Sequence, residues 1–366
     1  MKFFKNLFIK YYKTAIQMIF KIIYGRIKTV LEPKNQKDII VKNLDLDEIN
    51  YKIYICRNSS LYTDTIHDTA IIKNRQIIKG PSFQYRLNKN VNCELNSVLT
   101  KGTPRLKRKI KGMVFSLLTG GGGNFNYWHW LFDVLPRINM IEKLNLKSSI
   151  DYYLFPNLEK KFQIQTLDLM NIPQHKRLSS KKFRHLCADD IIVASHPYTI
   201  LNDPSLDSLN IPLWITNYLK FLFLENAIKN TKIKSFPKKL YINRQDSTSL
   251  RYIINLNEVE NTLSKHGYES LTLSNLNFVD QVAIFHNAEE VIGLHGAGFA
   301  NIIFCKKNCK IIEIRPNTAG DVIKNLALKI DLNYYDISAK PKTINYNNQA
   351  GDIKINLEEL KKKISV

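Results

Sequence analysis

Between Lys239 and Ile330 short apolar runs alternate with helical stretches, and nothing else in the sequence constrains the fold as tightly. Lys239-Leu240-Tyr241-Ile242, Glu269 to Thr272, Glu290-Val291-Ile292-Gly293 and Lys310-Ile311-Ile312-Glu313-Ile314 read as strands. Asn257 to His266, Asn277 to Asn287, Ala300 to Phe304 and Asp321 to Ile330 read as the helices between them. Parallel strands need crossovers of a dozen or more residues, usually helical. The alternation therefore predicts an α/β chain with a parallel sheet covered on both faces.

The upstream half carries the same grammar less regularly. Gly112 to Leu118 is a buried strand, Gly120-Gly121-Gly122-Gly123 a turn, and Tyr127 to about Leu144 a helix. Tyr152 to Phe155 and Asp190 to Ala194 are further strands, with a helix near Glu159 to Met170 between them. Lys52 to Cys56 and Thr69 to Ile72 are short strands in a mixed region, after a polar stretch that runs to about Asn50. Trp214 to Lys229 is a long helix, and the charged segment Asn230 to Lys239 is the expected domain boundary. The expected division is 1–28, 29–229 and 230–366.

A length of 366 residues and 44% hydrophobic content suit two ordinary domains and exclude a collagen-like or disordered chain. The excess of 54 Lys+Arg over 32 Asp+Glu leaves +22, which calls for an anionic partner without choosing it. Cys56, Cys93, Cys187, Cys305 and Cys309 form no C-x-x-C pair and no zinc set, so they read as reduced core thiols of a cytoplasmic protein.

The first 28 residues hold Lys2, Lys5, Lys10, Lys13, Lys21, Arg26 and Lys28 and no acid. At 100° per residue the lysines fall on one side, while Phe4, Phe8, Tyr11, Ala15, Ile19 and Ile22 run along the other. From Met1 to Lys28 this is the pattern of a basic amphipathic helix lying in an anionic membrane surface; a helix packed on its own domain is the plain alternative. No stretch reaches the roughly 20 apolar residues of a spanning helix, so the expectation is a soluble or peripheral protein.

Three constellations could carry chemistry. His295-Gly296-Ala297-Gly298-Phe299-Ala300-Asn301 follows a strand and opens a helix, where backbone N–H groups and close-approaching glycines suit a phosphate. A tight strand–helix turn would use the same glycines. Arg244 lies just past the end of its strand, with Arg251 seven residues on; two cations there would offset a diphosphate, or be ordinary surface arginines. In Gly120 to Arg137, the residues Asn126, His129, Asp133 and Arg137 fall three, four and four apart, on one helix face. An Asp–His pair there could take a proton from a sugar hydroxyl, or pin the helix as a buried polar cluster. Glu313, at the end of the next strand, could accept ribose hydroxyls or face Arg315.

These blocks together resemble glycosyltransferase family 61, which includes bacterial capsular polysaccharide biosynthesis proteins, plant xylosyltransferases and animal O-linked N-acetylglucosaminyltransferases. Asn126 to Arg137 resembles the family's N-terminal signature, and Tyr241 to Arg244 with Arg251 and Asn255 resembles its Arg block. Gln281, Ala288, His295 to Asn301 and Glu313 resemble its later segments. Phe299 and Ala300 depart from the family's usual Leu and Thr, and Arg251 stands alone between Leu250 and Tyr252 where the family often has an Arg pair.

The resemblance implies a GT-B architecture, two Rossmann-like domains facing across a cleft, with inversion at the anomeric carbon and no cofactor or metal. Asp45-Leu46-Asp47, the one D-x-D, sits away from any expected strand end. The nucleotide-sugar donor is expected at Arg244, Arg251, His295, Gly296, Ala297, Gly298, Asn301 and Glu313. The glycan or lipid-linked acceptor is expected at Gly122, Gly123, Asn126 and Arg137, with Asp133 as general base and His129 orienting it. A capsule or lipopolysaccharide role on the inner face of a membrane follows as the expectation. A nucleic-acid-binding protein has only the charge to support it, and a non-catalytic glycan-binding subunit of the same fold is the remaining alternative.

Overall fold

The computed structural model describes residues 2–85, 91–120, 122–199, 204–244, 251–342 and 349–365; Met1, Gly121 and Leu250 lie outside the described residues. The chain divides into two compact units, Met1–Lys160 with Ile172–Asp207, and Lys161–Asn171 with Ser208–Val366. The expected boundary at Asn230 therefore falls inside the second unit. Helix Leu213–Asn230 buries Trp214, Leu219 and Phe223 there. Phe223 meets Phe278 edge-on at 4.8 Å, and Thr231 Oγ1 donates to Asp280 at 2.7 Å.

The second unit has a five-stranded, all-parallel sheet. Its spatial order is Glu269–Leu271, Lys239–Ile242, Glu290–Leu294, Lys310–Pro316, Asn333–Ala339. In chain order that is 2-1-3-4-5, a doubly wound arrangement whose order reverses between the Lys239 and Glu290 strands. Val291, Ile292, Ile311 and Ile312 lie in sequence-adjacent pairs that are wholly buried, as strands covered on both faces require. The segment expected as a helix from Ala300 is a 3-10 helix, Ala297–Phe304. Strand Asn333–Ala339 and helix Leu357–Ile364 were not expected. The strand is half-exposed through Tyr334, Tyr335 and Asp336, so it lacks the continuous apolar run of its neighbours. The helix is only eight residues long; Asn356 caps it by accepting from Glu358 N and Glu359 N.

The first unit is built on an eleven-stranded mixed sheet. Its parallel part runs Arg177–Ser179, Tyr152–Phe155, Met113–Ser116, His185–Ala194, which is 3-2-1-4 in chain order. The long strand Ile49–Thr63 pairs antiparallel with His185–Ala194, Ile191 opposite Cys56. Ile39–Leu46 then folds back on Ile49–Thr63 through Asp47 and Glu48, whose φ angles are 48° and 64°. Two successive positive φ values are the mark of a two-residue hairpin turn. So the supposedly strandless polar stretch is a strand, and Asp45-Leu46-Asp47 sits at a hairpin tip. Only Ile39 of that strand is buried, which is why no apolar run announces it.

Helix Lys2–Tyr24 touches the first unit through its last turns. Lys21 Nζ donates to Thr100 O at 2.7 Å, Tyr24 Oη accepts from Lys107 N at 3.0 Å, and the Tyr24 ring meets His185 edge-on. Phe4, Phe8, Tyr11, Ile19 and Ile22 are exposed. Among the described residues no helix is long and apolar enough to cross a membrane.

Candidate active site

In each unit the expected site residues gather at the carboxyl ends of parallel strands beside the point where strand order reverses. That is where open α/β sheets leave a crevice.

In the first unit the chain leaves strand Met113–Ser116, turns through Gly122 and Gly123, and starts a helix at Tyr127. A Cβ on Gly123 would lie 2.6 Å from Val134 Cγ2, and one on Gly122 would lie 3.1 Å from His129 Cγ. Both glycines serve close packing of the turn against the helix. The exposed Asn126 caps that helix, its side chain accepting from Trp128 N at 2.9 Å and His129 N at 3.4 Å. The helix is not uniform. Trp130–Val134 is a π turn closed by Leu135 N to Trp130 O at 3.2 Å, and Pro136–Lys143 is α-helical. Pro136 has no N–H to donate and crowds the preceding turn, which favours the wider winding.

His129 and Asp133 do meet, Nδ1 to Oδ2 at 2.8 Å. Arg137 does not join them on an open face. It is almost wholly buried, and its Nη1 donates to Leu118 O at 2.6 Å, holding the end of the strand before the turn. Two residues the sequence reading missed complete the cluster. Tyr198 Oη donates to Asp133 Oδ1 at 2.6 Å, and His196 Nε2 lies 3.4 Å from Asp133 Oδ2. Both follow strand His185–Ala194, which the parallel order places beside Met113–Ser116. The sequence located that strand's end; what hid these two residues was the strand order, which alone says whose end is adjacent.

His196 Nδ1 accepts from Tyr198 N at 3.3 Å and Thr199 N at 3.1 Å, so the ring proton is on Nε2, aimed at Asp133. Burial lowers the His196 pKa against the pull of Asp133, which suits that neutral tautomer. Burial works to raise the Asp133 carboxyl, but His129 and then His196 outweigh it and hold it well below the usual carboxylate range. The same pair acts in reverse on His129, where burial opposes protonation but Asp133 raises the ring above its ordinary value. About a third of the His129 side chain is open to solvent (37%), against 5% of Asp133. The cluster is a buried, three-donor carboxylate holding one accessible imidazole.

In the second unit, Arg244 and Arg251 each donate Nη1 to the same atom, His295 O, both at 2.7 Å. Gly296 is required by this approach, since a Cβ there would overlap the Arg244 guanidinium. Gly296, Ala297 and Gly298 form the half-exposed turn beyond. The His295 Nδ1 donates to Glu313 Oε1, and Tyr334 Oη donates to Glu313 Oε2 at 2.6 Å. Glu313 is wholly buried behind His295, and its oxygens accept from His295 and Tyr334. Arg315 reaches Asp321 and Ala319 O. Asn301 is also wholly buried and donates to Gln281 Oε1 at 3.1 Å; Gln281 in turn holds Leu273 O at 2.9 Å. These two buttress the turn from behind.

Burial, and next the neighbouring Arg244, push the Arg251 pKa down to about 10 against the pull of Glu313. Arg251 Nε is buried with no partner among the described residues. Two guanidiniums on one carbonyl, with a buried donor to spare, make a site that an anion would relieve. Among the described residues no group of three His, Cys, Asp or Glu side chains is arranged to hold a metal.

No curated protein matches the chain. Residues 127–312, just over half of the 366, match the family model Glycosyltransferase 61. That span starts at the helix bearing His129 and Asp133, takes in His196, Tyr198, Arg244, Arg251 and His295, and ends one residue before Glu313. The chain thus belongs to glycosyltransferase family 61, and is a glycosyltransferase.

Proposed function

We propose that the protein is an inverting, metal-independent transferase of GT-B type that moves a sugar from a nucleotide-sugar to a glycan or lipid-linked glycan. The observation that carries the donor assignment is the pair Arg244 and Arg251 on His295 O, at the reversal point of the second unit's sheet. The diphosphate of a nucleotide-sugar carries charge opposite to that of both guanidiniums. It would also leave with its electron pair stabilised by both guanidiniums, the role a metal ion plays elsewhere.

For the proton, the roles read from the sequence are better exchanged. Both Asp133 oxygens are occupied and its basicity is depressed, whereas His129 is accessible and made more basic. His129 Nε2 takes the proton of the acceptor hydroxyl as that oxygen bonds to the anomeric carbon and the carbon–diphosphate bond breaks. Asp133 orients the ring and stabilises its cation, and His196 and Tyr198 hold Asp133.

A capsule or lipopolysaccharide role on the cytoplasmic face of a membrane is supported by the helix Lys2–Tyr24, with its exposed aromatic stripe, and by the charge of +22. The test is transfer from UDP-, GDP-, CMP- and dTDP-sugars with chelator present, reading the anomeric configuration of the product. His129→Ala is expected to bind donor and fail to turn over. Retention of configuration, or full turnover by His129→Ala, would contradict the mechanism.

A further inference from the structure

The first unit holds a cavity of about 370 Å³ remote from Asp133. It opens at the foot of helix Lys2–Tyr24, and Tyr24 and Ile27 form part of its wall. Lys73, Arg75, Lys107 and Lys109 line it, against the single acid Asp189. Lys73 is neutralised by Asp38 at 2.9 Å, and Asp189 already accepts from Gly112 N at 2.7 Å. Among the described residues no carboxylate pairs with Arg75, Lys107 or Lys109. Arg75 sits in a hairpin turn at φ 63°, after Asn74 at φ 49°, a position that favours glycine. Lys107 Nζ lies over the Tyr24 ring at 4.8 Å, so Arg75, Lys107 and Lys109 gather cationic charge on one cavity with no carboxylate among the described residues paired to them, which suits an anion.

The cavity lies at the starting end of strand His185–Ala194, whereas His196 follows its far end. At about 3.3 Å per residue, Asp189 and His196 are roughly 20 Å apart, so this is not the transfer site.

We propose that the cavity receives the phosphate headgroup of an anionic glycerophospholipid. The occupant follows from what adjoins it. Helix Lys2–Tyr24 docks through Gln17, Phe20, Lys21 and Tyr24, the side that also carries Lys10 and Lys13. At 100° per residue its stripe of Phe4, Phe8, Tyr11, Ile19 and Ile22 therefore faces away from the protein, all five exposed. The basic segment Lys101 to Lys111, which the transfer chemistry leaves unused, supplies Lys107 and Lys109 at the same end. An apolar stripe beside a cationic cavity matches acyl chains beside a phosphate. The proposal rests on the membrane reading above and assigns it a specific contact.

The experiment is co-sedimentation of the full chain with vesicles of phosphatidylcholine alone or mixed with phosphatidylglycerol. Wild type, Lys107→Glu/Lys109→Glu, Lys107→Arg/Lys109→Arg and Phe8→Ser/Ile22→Ser are compared, each checked for an unchanged melting temperature. Binding only to the anionic vesicles is expected, weakened at least about tenfold by charge reversal and kept by the arginine pair. If the stripe variant loses binding while charge reversal does not, the cavity proposal falls and the membrane reading stands. If no vesicle is bound, both fall. If glycerol 3-phosphate raises the melting temperature but no vesicle is bound, the cavity takes a soluble phosphate and the lipid assignment is wrong.

Discussion

Tyr198 Oη donates to Asp133 Oδ1 at 2.6 Å, tying the loop after strand His185–Ala194 to the π turn after strand Met113–Ser116. Tyr198→Phe removes that donor and leaves a buried carboxylate oxygen unpaired. A loss of about 1–3 kcal/mol is expected from urea unfolding, with a smaller loss of turnover than Asp133→Asn gives. No change in stability would mean the bond contributes nothing net.

The His129 ring must be neutral to accept a proton, and Asp133 raises its pKa. Turnover is therefore expected to fall as pH drops through that raised value. Asp133→Asn removes the anion that favours the imidazolium, so the acid limb moves to lower pH while turnover falls by roughly 10²–10⁴-fold. An unmoved acid limb would assign it to another group.

Gly296→Ala places a methyl where the Arg244 guanidinium sits. The expected result is displacement of Arg244, at least about tenfold weaker nucleotide-sugar binding by calorimetry, and a stability change within about 1 kcal/mol because the turn is half-exposed. Unchanged affinity would remove Arg244 from the donor site.

Glu313 accepts from two donors in a fully buried position. In Glu313→Gln one of the two must face an amide N–H instead, and a loss of about 2–4 kcal/mol is expected. Tyr334→Phe should lose less, since it leaves His295 paired. Equal losses in the two variants would show that the His295 contact adds nothing.

Strands Lys239–Ile242, Glu290–Leu294 and Lys310–Pro316 were legible as buried apolar runs, and the largely exposed Glu269–Leu271 by its place in the alternation of strands and helices. Ile39–Leu46 and Asn333–Ala339 were not, because partly exposed strands with polar residues imitate loops. Four chemical residues, His129, Asp133, Arg244 and His295, were visible as motifs at strand ends. Their partners were less so: His196 and Tyr198 come from a strand whose neighbour only the topology names, and Pro136 turned an expected straight helix face into a π turn that buries Arg137. The division inside the chain was misplaced because helix Leu213–Asn230 looks the same whichever unit it packs against.

His185 is buried between Tyr24 and Tyr62, and burial lowers its pKa to about 4 from an ordinary 6.5. A depressed histidine contributes stability above its unfolded value and loses it as pH falls. Between about pH 6.5 and 4 the unfolded chain binds the extra proton, so stability should drop by up to about 3 kcal/mol. Melting curves of wild type and His185→Gln across that range check this; parallel curves would contradict it.

The measurement to make first is a melting-temperature screen of wild type and Arg251→Ala against UDP-, GDP-, CMP- and dTDP-sugars, with chelator present. A rise specific to one nucleotide-sugar that survives the chelator and disappears in Arg251→Ala is the expected result. A rise that Arg251→Ala keeps undiminished, or no rise with any donor, would contradict a donor site built on the two arginines at His295.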